Sequence, residues 1–290
     1  MFCKNRYIIT QQCGFGERLT LLLFFGGYMD NKDYLTEYYN NYDEDGRLTS
    51  KHGAVEYITT MKYIHKYLTP GARIIEIGAG TGRYSHALAR EGYSVDAVEL
   101  VEHNIDIFKQ NTADGENITV TQGDARDLSA FADGIYDVTL LLGPMYHLFT
   151  EDDALIALSE AVRVTKKGGI VFVAYCMGDA SVLCYGFIRG GIHELVEKCM
   201  LDMETFDTFS NPWDLFELYR KKDIEILRSH LDVTPLGFVA TDGYTNHMRE
   251  TVDEMDDETY ELFVKYHLAT CERQDMIGYS HHTLDIFRKN

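Results

Sequence analysis

The sequence predicts an α/β fold, a mostly parallel sheet covered by helices on both faces. Residues 73–100 read as apolar strand, glycine-rich turn, helix and second apolar strand. Further apolar strands recur near 117–122, 136–142 and 170–176, with helical spacing of apolar residues between them. No internal repeat or low-complexity stretch interrupts the alternation.

Residues 1–28 differ in character from the rest of the chain. The run 19–25, LTLLLFF, is too short to span a bilayer, and Gly26-Gly27-Tyr28 makes a poor signal-cleavage site. Gly-Gly-Tyr-Met can also be encoded by a purine-rich run just ahead of an ATG, as at a bacterial ribosome-binding site. On that reading Met29 starts the protein and 1–28 is a non-native or disordered extension. The remainder, 29–290, is expected to form one domain: a helical cap (29–70), a ligand-binding core (71–176), and lid insertions with C-terminal strands (177–290).

Residues 30–68 read as two helices broken around Asp43-Glu44-Asp45-Gly46. Tyr34, Tyr38 and Tyr42 recur every four residues and share one face, which either packs on the sheet or caps a bound ligand. Arg47 and His52 are expected in a solvated loop and helix start, within reach of such a ligand.

The first strand (Ile74, Ile75, Ile77) runs into Gly78-Ala79-Gly80-Thr81-Gly82, and the helix after it is stopped by Gly92. Tyr84, Ala87 and Leu88 of that helix are expected to face the sheet. Glycine permits a tight turn and a close backbone approach to a ligand, next to the unpaired N–H groups of a helix start. The second strand ends on Glu99, an acid placed to take two ribose hydroxyls. A dinucleotide fingerprint needs G-x-G-x-x-G, but its third position here is Arg83. The pattern is instead E-x-G-x-G-x-G, from Glu76 to Gly82. An acid at its head repels a pyrophosphate and attracts an ammonium group. A third strand precedes Gly123-Asp124-Ala125, where Asp124 is placed to accept an adenine amino group. The fourth strand opens into Gly143-Pro144, and Gly168-Gly169 precedes a fifth.

These ordered motifs, over residues 34–176, resemble the class I S-adenosylmethionine-dependent methyltransferases. Leu142-Gly143-Pro144-Met145-Tyr146-His147-Leu148 resembles the post-strand motif of a bacterial small-molecule branch of that family. The resemblance implies a Rossmann-like, seven-stranded sheet and S-adenosyl-L-methionine as cofactor. It places Glu76, Gly78, Ala79, Gly80, Thr81, Gly82, Glu99, Leu100, Asp124, Ala125, Leu142 and Gly143 around that cofactor. Related enzymes close the pocket with N-terminal helices, which favours a capping role for 29–70.

Methyl transfer from a sulfonium is an in-line displacement that rests on positioning in a dry pocket. A general base helps when the acceptor is a hydroxyl or a protonated amine. His147 is the candidate base, although a histidine there equally serves to hydrogen-bond and cap the next helix. Tyr146 either orients the acceptor or packs beneath the methionine chain.

Thr150 to Asp153 is a capping-box start for a helix burying Leu155, Leu158 and Val162, ended by Lys166-Lys167-Gly168-Gly169. Asn211-Pro212-Trp213-Asp214 is expected to open a capped helix, followed by a strand over 225–233. A helix over 257–273 presents Tyr260, Phe263, Val264, His267, Leu268 and Cys271 on one face, and the last strand is expected at 283–288. Insertions 177–210 and 244–273 are expected to form a lid over the C-terminal sheet edge. His281 and His282 point to opposite faces if their strand is regular, with His247 and Asp285 as possible partners only through folding. No metal is expected, and the acid run 253–258 reads as a solvated helix start.

Twenty-seven basic against 46 acidic residues leave a net charge of −19, a field that repels phosphate backbones and anionic membrane surfaces. Six cysteines show neither metal spacing nor a disulfide framework, which fits reduced thiols in a cytoplasm. The leading expectation is therefore methylation of an N or O atom of a small molecule. An RNA or protein methyltransferase and a non-catalytic cofactor-binding module are the alternatives, with a nicotinamide dehydrogenase more distant because of Arg83. The acceptor and the oligomeric state leave no mark in the sequence.

Overall fold

The computed structural model describes residues 31–42, 46–211 and 215–290. The 1–28 extension, Met29, the 43–45 break and Pro212-Trp213-Asp214 lie outside them. Seven strands form one sheet in the order β3-β2-β1-β4-β5-β7-β6. They are β1 (Arg73–Ile77), β2 (Ser94–Glu99), β3 (Ile118–Gln122), β4 (Tyr136–Leu141), β5 (Thr165–Cys176), β6 (Val233–Ala240) and β7 (His282–Lys289). The first five run parallel, and β7 is antiparallel to both β5 and β6. This is the expected Rossmann-like α/β architecture.

The central strands are apolar because helices cover both faces. Ile74, Ile75 and Ile77 of β1, Leu140 and Leu141 of β4, and Val171, Phe172 and Val173 of β5 are all fully buried. In register, Ile77 pairs with Val98 on one side and Leu141 on the other. The chain therefore leaves β1, β2 and β4 at one sheet edge. Strand order reverses between β1 and β4, the switch point at which such folds bind ligands.

The helices are α1 (Asn31–Asn41), α2 (Lys51–Tyr67), α3 (Arg83–Arg90), α4 (Glu102–Asn111), α5 (Glu151–Val164), α6 (Gly178–Ser181), α7 (Ile192–Glu197), α8 (Lys221–Ser229), α9 (Arg249–Asp253) and α10 (Asp257–Thr270). Ser50 caps α2 and Thr150 caps α5, each accepting from a backbone N–H three residues on. α3 buries Tyr84 and Leu88 as expected, together with Ala89, while Ala87 is partly buried against the same core. α5 buries Ala154, Ala157, Leu158 and Ala161, while Leu155 and Val162 only flank the core. Small residues let that helix approach the sheet closely.

Two stretches depart from sequence expectation. Lys166-Lys167-Gly168-Gly169 does not end α5, which stops at Val164; it starts β5, where Lys166 pairs with Asp137 at 2.7 Å. The helix expected from Asn211 is also absent from its described neighbours, since 211 and 215–218 are not helical. The helix comes later, at α8, where the Asp223 carboxylate accepts from the Arg220 N–H at 2.9 Å. Ile224 and Leu227, three apart, are buried, whereas Ile226 is exposed. That spacing makes 225–229 helical, and the strand begins only at Val233.

Candidate ligand crevice and its acid–base wall

The turn after β1 is shaped by Gly78, whose φ is +75° and whose added Cβ would meet Pro144 Cδ at 2.5 Å. The β1 and β4 ends therefore touch through a glycine and a proline, at the switch point. Gly80 N–H donates to Glu99 Oε2 at 2.8 Å, while Val101 N–H and Asn104 Nδ2 donate to Oε1 at 2.9 and 3.2 Å. Glu99 is thus held at the crevice by both the turn and the following helix.

Glu76 is 2% exposed, and Ser85 Oγ donates to its carboxylate. Burial pushes its pKa up to about 8, against the Ser85 bonds, and Glu99 adds to the rise. Among the described residues no Lys, Arg or His forms an ion pair with it. A buried carboxylate facing a cavity with no cation of its own is well matched to an ammonium group brought by a ligand.

One cavity of about 1100 Å³ takes in this edge of the sheet. Glu76, Gly78, Ala79, Gly80, Thr81, Glu99, Leu100, Asp124, Ala125, Leu142, Gly143, Tyr146 and His147 all line it. Gly82 does not. Its φ is +89° and its added Cβ would meet Phe108 ring carbons at 2.5 Å, so this glycine serves the packing of α3 against α4. Asp124 is clamped by Arg126 through Nε at 3.0 Å and Nη2 at 2.8 Å, and Arg126 also reaches Asp153 at 3.1 Å. Sequence reading passed over Arg126.

His147 is buried with both ring nitrogens engaged. Its Nδ1 donates to the Leu215 carbonyl at 2.7 Å, so the neutral ring accepts from the Tyr39 hydroxyl at Nε2, 3.0 Å away. Burial, only partly opposed by the Leu215 bond, lowers its pKa to about 4. The histidine joins α1, the β4 turn and the 215–218 segment.

The cavity lining also carries an array that the sequence did not reveal. Asp242 and Glu56 approach His282 Nδ1 at 2.8 and 3.3 Å, and Arg47 donates to Glu56 at 2.9 Å. Burial alone would lower the His282 pKa, but Glu56, Cys176 and Asp242 raise it well above the usual value. Burial would raise Asp242, yet His282, His281 and Ser280 hold it well below the carboxylate range. Tyr146 lies beside this array, its ring 5.9 Å from that of His282. Arg47 and His52 both line the cavity and are not simply solvated, His52 being held by Asp253 at 2.7 Å.

Of the two insertions, 177–210 reaches the cavity through residues such as Val182, Tyr185 and Leu201. The α10 part of 244–273 does not. Its Tyr260 hydroxyl donates to the Lys51 carbonyl at 2.8 Å, and Glu272 accepts from Tyr63 at 2.7 Å, which packs the segment on the outside of α2. The acid run 253–258 caps and pairs: Asp256 accepts from Thr259 N–H, and Asp257 meets Lys51. Asp285 lies apart from the histidines and pairs with Arg228.

Residues 74–169 match the family described as "Methyltransferase domain". Among curated proteins, the chain is 30% identical over 111 residues to a putative methyltransferase, YqeM, of Bacillus subtilis, covering 38% of this chain and 44% of that protein. It is 34% identical over 105 residues to a demethylmenaquinone methyltransferase of Staphylococcus aureus, covering 35% and 42% respectively. The matched part is thus less than half the length of either relative. Among solved structures, one from Thermotoga maritima, described as an S-adenosylmethionine-dependent methyltransferase and possible histamine N-methyltransferase, aligns at TM-score 0.56 with 18% identity, over 90% of this chain and all of that one. The magnesium protoporphyrin IX methyltransferase of Synechocystis with bound S-adenosylhomocysteine aligns at 0.56 with 14% identity, over 90% and 100%. Residues 74–169 are thus similar to methyltransferase domains, and the α/β fold around them is one shared by solved structures described as S-adenosylmethionine-dependent methyltransferases. Among the described residues no helix is long and apolar enough to cross a membrane.

Proposed function

We propose that this protein transfers a methyl group from S-adenosylmethionine to an N or O atom of a small-molecule acceptor. One observation carries the reading: a single cavity joins the Gly78–Gly80 turn, Glu99 and Asp124 to the Arg47–Glu56–His282–Asp242 array. Its volume of about 1100 Å³ exceeds the roughly 300–1,000 Å³ of ordinary small-ligand pockets, which leaves room for cofactor and acceptor together. A pocket plugged by side chains would have favoured a purely cofactor-binding role.

When bound, the cofactor supplies an electrophilic methyl group on a sulfonium. Glu76 is placed to take its ammonium, the 78–80 backbone its amino-acid portion, Glu99 its ribose and Asp124, backed by Arg126, its adenine. Tyr146 and the array around His282 face the acceptor end, orienting its nucleophile and excluding water. We assign His147 a positioning role, holding Tyr39 of the cap through Nε2. The 29–70 helices and the 177–210 segment would act as cap and lid, and the 142–148 motif supports the small-molecule branch that it resembles. The acidic balance supports a small acceptor over RNA, and six cysteines without a disulfide framework support a cytoplasmic setting.

The test is a screen of metabolite extracts with methyl-labelled cofactor and the full chain. Label entering low-molecular-mass products supports the proposal. Label found only in RNA or protein fractions, or none despite demonstrated cofactor binding, overturns it.

A further inference from the structure

Cys184, His247 and His281 come from three separate segments and meet beside the cavity. Cys184 lies in a π-helical stretch (Val182–Ile188), His247 ends a 3-10 turn (Thr245–His247), and His281 immediately precedes β7. One donor atom from each lies within 4.8 Å of the other two. The two imidazoles meet edge-on, with centroids 5.6 Å apart. A π-turn inside a helix is itself a feature enriched at functional sites.

The polar atoms of this cluster are poorly satisfied by the protein. His247 Nε2 lies 2.7 Å from the Tyr279 carbonyl, which only accepts, so that nitrogen carries the proton. In the neutral ring Nδ1 then holds a lone pair, and it is buried with no hydrogen-bond partner. His281 Nε2 is buried and unpartnered as well. The Cys184 thiol is buried and reaches only the Asn246 carbonyl, at 3.5 Å. Unpaired buried nitrogens are costly, and natural structures retain them mainly where a ligand completes them.

We propose that Cys184, His247 and His281 form a transition-metal site of the Zn²⁺ class. The donor set decides the ion: one thiolate and two imidazoles, without carboxylate or carbonyl oxygens, suit Zn²⁺ and not Mg²⁺ or Ca²⁺. Tetrahedral Zn²⁺ places such donors roughly 3.3–3.8 Å apart, so side-chain rotation draws the three together by about 1 Å. The His247 N–H bond to a backbone carbonyl is the outer contact that metal-bound histidines use to fix their tautomer. Of the three, His281 also lines the cavity, so the site adjoins it. On binding, the Cys184 thiol would give its proton to solvent and ligate as the thiolate. This site is independent of the methyl-transfer reading.

The experiment titrates Co²⁺ into tag-free, chelator-stripped full-length protein. One equivalent is expected to bind with a near-ultraviolet sulfur-to-cobalt charge-transfer band, bleached by Zn²⁺. Cys184→Ser should remove the band, and His247→Gln and His281→Gln should each weaken binding by more than about tenfold. Circular dichroism checks that each variant is folded, and His247→Gln, the least buried, stands in if Cys184→Ser is not. The proposal fails if the wild type shows no such band, or if the band survives in Cys184→Ser. It fails equally if binding is indifferent to both histidines and is lost in Asp242→Asn, which would assign the ion to the Glu56–Asp242–His282 cluster.

Discussion

The Gly80 backbone N–H donates to the Glu99 carboxylate at 2.8 Å, so the turn after β1 and the end of β2 form one hydrogen-bonded unit. The acid proposed to take a ligand's sugar also sets the loop's shape. Glu99→Ala would strip the acceptor from Gly80, Val101 and Asn104 together. We expect a stability loss of about 1–3 kcal/mol from the buried donors left unpaired. Affinity for S-adenosylhomocysteine should fall by more than tenfold, about 1.4 kcal/mol. Isothermal titration and urea melts measure the two losses; unchanged affinity would remove Glu99 from the cofactor site.

Gly82 separates shape from binding. With φ at +89° and Phe108 2.5 Å from an added Cβ, Gly82→Ala should cost about 1–3 kcal/mol of stability. Because Gly82 does not line the cavity, cofactor affinity of the folded variant at low temperature should stay within about twofold, or ~0.4 kcal/mol. A large affinity loss without a stability loss would return this glycine to the ligand.

Tyr39 and His147 test whether the histidine positions or takes a proton. Tyr39→Phe leaves His147 Nε2 without the hydroxyl at 3.0 Å and should loosen the cap. Acceptor KM is expected to rise, with kcat changed by less than about threefold, as for loss of uniform binding. Since burial lowers the His147 pKa to about 4, the kcat profile between pH 6 and 9 should show no inflection that His147→Asn removes. Such an inflection would make it the base.

The legible parts of this fold were those encoded locally. β1, β2 and β4 announce themselves through runs such as Ile74-Ile75 and Leu140-Leu141, and the turn between β1 and α3 through its glycines. Thr150 was legible as a cap because its partner Asp153 is three residues away. The acid–base wall was not, because Glu56, Asp242 and His282 are brought together by α2, the β6 end and β7, across the whole chain. His281 and His282 were visible as a pair, but their separate partners, His247 and Asp242, depend on tertiary packing. The 225–229 stretch misled for a related reason. Ile-Glu-Ile-Leu alternates like a strand, and only burial of Ile224 and Leu227 in the core decides for helix.

If Glu76 takes the ligand's ammonium as proposed, it links cofactor binding to pH. Its carboxyl rises from 4.5 in the unfolded chain to about 8 in the fold, chiefly through burial. Between those values the folded state holds a proton that the unfolded state has released, so stability falls as pH rises and the full penalty is present above pH 8. Glu76→Gln removes the ionisable group. The ligand-free variant should therefore be more stable than wild type at pH 9 and close to it at pH 4. The same substitution removes the negative charge matched to the ligand's ammonium, so cofactor affinity should drop by more than about tenfold, or ~1.4 kcal/mol. Denaturant melts across pH 4–9, with and without S-adenosylhomocysteine, read both effects. A stabilised apoprotein that binds cofactor more weakly is the expected combination, because burying an unpaired carboxylate destabilises the empty fold and rewards the ligand that neutralises it. Parallel pH curves for wild type and Glu76→Gln would show that Glu76 never faces this penalty, and the ammonium assignment would fall with it.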